Sequence, residues 1–405
     1  MFLVRKGTEY LGPSGVGLWP ALDWSRLPGI TVLQNGNANS TDYGDGTEAF
    51  VGGTGDGQNG VSAMILAPIG ETLRANKSWF FFQGYAVFLA NGITTIEDAP
   101  VETIVEQWPL SAATVPIIAD GTTVASGAYS GMLPDTQWIS ADGLGYFFPG
   151  RSSVQVTDAT QSGNWMDLGV SQGTVTAPFL TLALEHGNAP TNASAAYAIA
   201  FDGQDMSTFA ASPPFSVVQN DATISAVAGQ GAAGAVFWVP GSITINTSAT
   251  ASDTPCVVWL ANDGTALTVS VADPAQGTGQ LHVTVSGGFK SGSGSDSGIT
   301  VALTSTGATL TVDRTGGVTH IATLTLLHPS SPDAGPAGTD ASAGSDGATV
   351  GPASNGGSHG SCGCRVAGEH GSRAIAIAWA VGIFGLFGAR RRRLSDARPR
   401  SRVAR

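Results

Sequence analysis

The sequence has few charged residues, and the main part of the chain has very few positively charged ones. Only 12% of the 405 residues are charged, and residues 1–364 hold eight of the 18 Lys and Arg but 28 of the 30 Asp and Glu. A surface this acidic repels nucleic-acid phosphates, because duplex binding needs a basic stripe that releases counterions. Nucleic acid is therefore excluded as a partner. The chain is 42% hydrophobic and long enough for two packed domains.

Cysteine is also scarce. The three cysteines, Cys256, Cys362 and Cys364, are too few for a disulfide framework, and no paired Cys-x-x-Cys clusters are present to hold structural zinc. Cys256 opens the apolar run Val257–Leu260, which predicts a buried thiol.

Helical periodicity is missing before residue 374. Apolar and polar residues instead alternate with period two, and Gly-rich turns separate the runs, as in residues 267–271, 281–285 and 322–326. The stretch 78–93 is apolar on both faces in places, which is typical of a strand that lies between two sheets. We therefore predict an all-β fold in which a large antiparallel sandwich is followed by a smaller one, because no window of helical length before the tail shows a convincing 3.6-residue period.

The predicted domains follow from shifts in composition. The Pro-rich segment 212–214 separates a large sandwich over residues 1–211 from a smaller one over residues 215–328. Residues 330–361 are almost wholly Gly, Ala, Ser, Pro, Thr and Asp, which predicts a disordered linker because such a segment cannot bury enough apolar area to offset its ordering entropy.

The tail, residues 362–405, has three features in order: Cys362 and Cys364, the apolar stretch 374–389, and Arg390–Arg393. As a helix the apolar stretch would be about 24 Å long, short of the hydrocarbon core of about 30 Å, although flanking arginines can snorkel to extend it. This order resembles the myxobacterial type of C-terminal sorting tag. The resemblance implies export, a cell-surface location, attachment to the membrane through a helix over 374–389, and processing at Cys362 or Cys364. An ordinary tail anchor is the alternative.

The start of the chain lacks the basic region and apolar core of a signal peptide. Because the tail implies export, we expect that an upstream part of the protein is absent from this chain.

Seven colinear segments suggest a family. They are GTEYLG (7–12), WSRLPGITV (24–32), AFVGGTGDGQNGVSAM (49–64), RANKSWFFF (74–82), GNW (163–165), LEHGNAP (184–190) and VADPAQ (271–276). The series resembles the central and C-terminal β-domains of polysaccharide lyase family 8, the hyaluronate, chondroitin AC and xanthan lyases. The resemblance covers about two thirds of the chain.

The resemblance implies eliminative cleavage of a uronic-acid polysaccharide. That reaction needs a group that stabilises charge on the uronate carboxylate, and a Tyr or His that moves protons. In the family these groups lie on an N-terminal α/α toroid, and this sequence has no helical repeat to build one. We therefore expect this chain to be the monomeric β-domain portion of such a lyase, with an acidic polysaccharide as its partner. We expect it to carry no catalytic residue and to be inactive alone. A non-catalytic carbohydrate-binding or structural surface module is the alternative.

The resemblance also places the WSRLPG segment beside the substrate cleft. Glu9, Trp24 and Arg26 are therefore the residues nearest to a substrate-binding role, with core packing of Trp24 as the alternative. Trp19, Trp24 and Trp108 could stack on sugar rings. A basic cleft would steer a polyanion, but attraction would have to come chiefly from the absent domain, because the basic residues of 1–364 that could contribute are few: Arg5, Lys6, Arg26, Arg74, Lys77, Arg151, Lys290 and Arg314.

Two sets of acidic residues each have more than one interpretation. A Gly-rich loop carries four carboxylates that could supply oxygen ligands for Ca²⁺: Asp42, Asp45, Glu48 and Asp56. A solvated turn is the alternative, because the spacing does not fit an EF-hand. No other cofactor is expected. Glu185 and His186 are adjacent, and adjacent strand residues point to opposite faces, so we interpret them as structural rather than as an acid/base pair.

Overall fold

The chain is described here from a computed structural model, which covers residues 9–11, 17–36, 46–170, 173–201 and 203–328. Within these residues 24 strands form three antiparallel sheets. The prediction of an all-β, antiparallel, sandwich-like fold is confirmed. The predicted linker and tail helix lie outside the described residues.

The largest sheet is built from twelve strands. They are Thr31–Leu33 (β1), Val51–Gly55 (β2), Gly60–Leu66 (β3), Arg74–Phe82 (β4), Tyr85–Thr94 (β5), Pro100–Pro109 (β6), Ile117–Ala119 (β7), Thr122–Ala125 (β8), Tyr129–Ala141 (β9), Leu144–Asn164 (β10), Thr174–Asn188 (β11) and Ala193–Ala200 (β12). The order in the sheet is β1-β6-β11-β10-β12-β5-β4-β3-β2, and β9 pairs with β10 and β7, which in turn pairs with β8.

A seven-stranded sheet follows along the chain. Its strands are Phe215–Asn220 (β13), Ile224–Gly229 (β14), Ala232–Phe237 (β15), Cys256–Asn262 (β18), Ala266–Ala272 (β19), Phe289–Gly294 (β21) and His320–Leu326 (β24), in the order β13-β14-β15-β18-β19-β24-β21. A five-stranded sheet packs on it, with the order β16-β17-β20-β23-β22: Gly241–Ile245 (β16), Ser248–Ser252 (β17), Gln280–Ser286 (β20), Ile299–Leu303 (β22) and Gly307–Asp313 (β23).

One α-helix lies between the two parts, over Met206–Ala211 (α1), where the sequence shows no helical period. Six residues are too few for a helical period to show in the sequence. Asp205 caps the helix, because its Oδ1 accepts a 3.0 Å hydrogen bond from the backbone N–H of Ser207. The described 3₁₀ turns are Glu9–Leu11, Trp19–Ala21, Trp24–Arg26, Trp165–Leu168 and Thr315–Gly317.

The sheets share their cores through strict alternation of side chains. In β5, Ala86, Phe88 and Ala90 enter the core of the first sandwich, whereas Val87 and Leu89 enter a second core between the twelve- and seven-stranded sheets. The stretch 78–93, predicted to lie between two sheets, therefore does so.

The seven-stranded sheet repeats this arrangement. In β18, Val257 and Trp259 join the shared core, while Cys256 and Val258 join a third core against the five-stranded sheet. Cys256 is buried, as predicted, and burial raises the pKa of its thiol to about 12.

No helix among the described residues is long and apolar enough to cross a membrane. The segment 374–389, for which a membrane helix is predicted, lies outside them.

The 3₁₀ turn Trp19–Ala21 packs directly on β10, because Gly163 leaves room for it. A Cβ atom at Gly163 would overlap the carbonyl of Pro20. We expect Gly163→Ala to lower the free energy of unfolding by about 1–3 kcal/mol, since the turn would have to shift. Urea unfolding measures this change.

Gly173→Ala is the matched control, because no atom lies within 4 Å of a Cβ added at that nearby position. We expect it to stay within about 0.5 kcal/mol of the unsubstituted chain. Equal losses for the two variants would contradict the close packing of the turn on β10.

Candidate functional site

The turn Trp24–Arg26 is fixed to the first sheet by one side chain of β6, Gln107. The Oε1 of Gln107 accepts a 2.8 Å hydrogen bond from the N–H of Asp23, and its Nε2 donates to the carbonyls of Asp23 (2.9 Å) and Arg26 (2.7 Å). Asp23 also caps the turn by accepting from the N–H of Ser25. Gln107 is fully buried, so the turn is held at both ends by a rigid group.

Arg26 forms ion pairs on this surface. Its Nε and Nη2 donate to the two carboxylate oxygens of Glu102 at 2.9 and 3.1 Å, and its Nη1 donates to Asp23 at 3.0 Å. Hydrogen bonding to Glu102 raises the pKa of Arg26 above its usual value. Two carboxylates therefore surround one guanidinium, which leaves little positive charge for an anionic substrate.

Trp24 ends a row of aromatic rings that runs from the core to the surface. It stacks on Trp19 at a centroid distance of 6.2 Å, Tyr10 lies 6.5 Å beyond Trp19, and Trp108 lies 6.1 Å beyond Tyr10. Trp19 and Trp24 are half-buried, so both present part of a ring to solvent.

Trp108 does not join this exposed set. It is 2% exposed and its Nε1 donates to Asp142 at 3.0 Å, so the expectation that it could stack on a sugar is wrong. The third tryptophan of the surface is Trp165, which packs with Trp19 against Gly17. Gly17 has φ +83° and its Cα faces both rings, so only glycine fits there.

Glu9 lies beside the same group of residues. It is half-buried and precedes Tyr10, whose hydroxyl donates to the carbonyl of Gln107 at 3.1 Å. Of the three residues predicted to lie nearest to a substrate, Arg26 bonds to Gln107 directly, whereas Glu9 and Trp24 are each adjacent in sequence to a residue that does. Their role in substrate binding stays a prediction.

Sequence reasoning missed the two residues that organise this surface, Glu102 and Gln107. Both lie on β6, whose sequence PVETIVEQWP places polar residues within a strand that is almost wholly buried. Polar residues in such a strand need partners, and this was the signal that could have found them.

His186 and Glu185 do not form an acid/base pair. Glu185 is exposed, whereas His186 is half-buried and its Nε2 lies 2.8 Å from the hydroxyl of Thr103. Burial, together with the nearby Lys77, lowers the pKa of His186 to about 4. His186 is therefore neutral at physiological pH and already bonded, which agrees with the structural interpretation.

Lys77 lies at the other end of the same polar chain. Its Nζ donates to the carbonyl of Gly29 at 2.7 Å and to the hydroxyl of Thr31 at 3.0 Å, and Thr31 lies 2.9 Å from Thr103. Burial lowers the pKa of Lys77 to about 7. Lys77 is buried, so its inclusion among the residues that could steer a polyanion is wrong.

The candidate calcium ligands are only partly described. Asp42 and Asp45 lie outside the described residues. Glu48 pairs with Arg74 at the start of β4. Asp56 lies at the β2–β3 turn, beside the other end of β4, and its carboxylate accepts a hydrogen bond from Trp259 Nε1. These two carboxylates therefore cannot share an ion, and the described residues contain no group of three or more His, Cys, Asp or Glu that could hold a metal.

Family comparisons match both sandwiches. Residues 1–212 match the polysaccharide lyase family 8 super-sandwich domain, and residues 216–282 match the polysaccharide lyase family 8 C-terminal β-sandwich domain. The chain belongs to polysaccharide lyase family 8.

Similar family 8 proteins include enzymes with different substrates in their names. A hyaluronate lyase of Thermasporomyces composti is 32% identical over 76% of this chain and 41% of its own length. A chondroitinase-AC of Pedobacter heparinus is 27% identical over 65% of this chain and 39% of its own length. The structure of a Paenibacillus xanthan lyase superimposes with a TM-score of 0.73, at 29% identity over 82% of this chain and 33% of that one. The chain thus spans between a third and about two fifths of the length of these relatives.

Glu106 of β6 has a buried carboxyl group. It precedes Gln107, the residue that holds the turn Trp24–Arg26. Its Oε1 accepts from the N–H of Gln107 at 3.0 Å, and its Oε2 has no hydrogen-bond partner in the described part of the chain. Burial raises the pKa of Glu106 to about 8. The carboxyl is therefore protonated in the folded chain at neutral pH.

This raised pKa predicts a pH dependence of stability. The folded chain keeps the Glu106 proton up to about pH 8, whereas an unfolded glutamate loses it near 4.5, so stability falls as pH rises between these values. We expect Glu106→Gln, which imitates the neutral acid, to lose less stability than the unsubstituted chain across this window. Urea unfolding at several pH values measures the difference.

Glu185→Gln is the control, because that carboxyl is exposed on β11. Its stability should follow the unsubstituted chain at every pH. Parallel curves for Glu106→Gln and the unsubstituted chain would show that the buried carboxyl does not hold its proton.

Proposed function

We propose that this chain supplies the β-sandwich portion of a polysaccharide lyase that cleaves a uronic-acid-containing polysaccharide by β-elimination. The observation that carries the proposal is the match to both family 8 β-domains in their order along the chain. Hyaluronan, chondroitin and xanthan are the candidate substrates, since relatives are named for lyases of these polymers.

The described residues favour a supporting role in that reaction over a catalytic one. Elimination needs a proton acceptor and a group that stabilises the uronate charge on one open surface. The titratable groups nearest to the Trp24 surface are already bonded, as Arg26 is to Glu102 and His186 is to Thr103. We infer that the exposed rings of Trp19 and Trp24 contact the polymer, and that Arg26 positions them.

The alternative is a non-catalytic carbohydrate-binding module. The same half-buried tryptophans favour it, because aromatic faces at a surface stack on sugar rings without any chemistry. The two proposals differ in whether the surface increases the rate of cleavage.

A chimeric enzyme separates them. Residues 1–328 would replace the corresponding β-domains of the Thermasporomyces composti hyaluronate lyase, and the unsaturated uronate product would be followed by its ultraviolet absorbance. We expect the chimera to cleave hyaluronan or chondroitin and this chain alone to be silent. A folded but inactive chimera would favour the binding module, and activity of the chain alone would refute the absence of catalytic residues.

Trp24→Ala in an active chimera tests the proposed contact. We expect kcat/KM to fall on the order of tenfold, because the exposed end of the aromatic row is removed while Trp19 and the core remain. Gln280→Ala, an exposed substitution on β20, is the control and should leave kcat/KM unchanged. An unchanged kcat/KM for Trp24→Ala would leave Trp24 with a packing role only.

Location is a separate part of the proposal. We propose an extracellular, monomeric protein that is attached to the membrane through residues 374–389 and processed at Cys362 or Cys364, on the strength of the tail sequence. Fractionation of cells that produce the protein from its own gene should place it in the membrane or surface fraction. A wholly cytosolic chain would contradict this.

A further inference from the structure

A pocket lies where the two sandwiches meet, away from the surface that carries Trp19 and Trp24 (the tryptophan surface). It has a volume of about 360 Å³. The β4–β5 hairpin lines one wall with Phe82 and Gln83, the segment before α1 contributes Gln204, and Gln230 comes from the turn between β14 and β15. Three separate parts of the chain therefore converge on it.

The polar groups of this junction pocket are amides with unused hydrogen-bonding capacity. The Nε2 of Gln83 donates to Gln58 at 2.9 Å and the Nε2 of Gln204 donates to the carbonyl of Gly84 at 3.0 Å, which leaves the Oε1 of each as an acceptor. Asn59 donates through Nδ2 to Asp56 and likewise keeps its Oδ1. Gln230 is exposed and its amide has no hydrogen bond among the described residues.

The apolar part of the pocket is formed by the edges of two largely buried rings, Phe82 (8% exposed) and Tyr85 (6% exposed). Phe82 and Tyr85 stack at a centroid distance of 4.9 Å and an interplanar angle of 16°. The hydroxyl of Tyr85 donates to the carbonyl of Pro214 at 3.2 Å, which holds this ring in place. Phe82 also packs against Trp259, so the pair is anchored in the shared core.

Charge restricts what this pocket can bind. None of the described residues that line it is a Lys, Arg, His, Asp or Glu, and the carboxylate of Asp56 lies directly behind Asn59. A uronate or sulfate group would meet carbonyl oxygens with no cation to offset its charge. Sugar hydroxyls, in contrast, donate to such oxygens and accept from the amide of Gln230.

We propose that the junction pocket is a second carbohydrate-binding site, which takes an uncharged hexose or N-acetylhexosamine unit. The unit's hydroxyls bond to the four amides, and its apolar edge lies on Phe82 and Tyr85. This site would let the chain hold a glycan at a place remote from the Trp24 surface. It does not depend on the eliminative reaction, because binding here involves no cleavage.

Saturation-transfer NMR on the full chain tests the proposal, with N,N′-diacetylchitobiose and lactose as neutral probes and glucuronate and glucosamine as charged ones. We expect transfer to the neutral probes and little to glucuronate. Gln83→Ala combined with Gln230→Ala should weaken neutral-probe binding about fivefold to tenfold, because two hydrogen bonds are lost. Near-ultraviolet circular dichroism confirms that the variant is folded.

Gln280→Ala is the matched control, since it removes an exposed glutamine that does not line the pocket. It should bind like the unsubstituted chain. Three results would overturn the proposal: no transfer to either neutral probe from the folded chain, equal binding by the double variant, or binding of glucosamine alone, which would show that the carbonyl oxygens take a cation. Because no step of this experiment measures cleavage, its failure is distinct from failure of the proposed lyase function.

Discussion

Burial of both faces of β4 and β5 is the constraint on which the rest of the described structure depends. Successive side chains of these strands enter two different cores, one inside the first sandwich and one against the seven-stranded sheet. A strand in this position has no solvent face, so β5 is apolar almost throughout and β4 is apolar from Trp79 onward. The tryptophan surface lies against β6 and β10 of this shared sheet, and the junction pocket lies at its β4–β5 hairpin.

The electrostatics of the Trp24 surface follow from the scarcity of basic residues. In the described part of the chain, Arg26 of this surface is paired with Glu102 and Asp23, and Lys77 of β4 is buried. Such a surface attracts a polyanion weakly at long range, so its contribution to recognition comes from shape and aromatic contact. Charge complementarity for an acidic polymer would have to come from elsewhere.

The alternation of apolar residues was enough to predict the fold class, because period two is a local property of each strand. Continuous apolar stretches, in contrast, predicted that Cys256 is buried and that residues 78–93 lie between sheets. The helix α1 was not predictable, because six residues do not complete two turns. The partners of Arg26 were not predictable either, since Glu102 and Gln107 are more than 70 residues away along the chain and only the pairing of β6 brings them to the turn. The burial of Lys77 depends on the same long-range pairing, and a lysine in a strand gives no local sign of it.

The shared core between the sandwiches has a consequence for how this part of the protein can be inherited. The seven-stranded sheet, taken alone, would expose Val227, Val236 and Trp259, which are now covered by β4 and β5. A gene fragment that encoded either sandwich by itself would therefore produce a sheet with a bare apolar face, prone to aggregate. Recombination can thus move the two sandwiches between genes only as a pair. The short connection through α1 is not a point at which the pair can be divided.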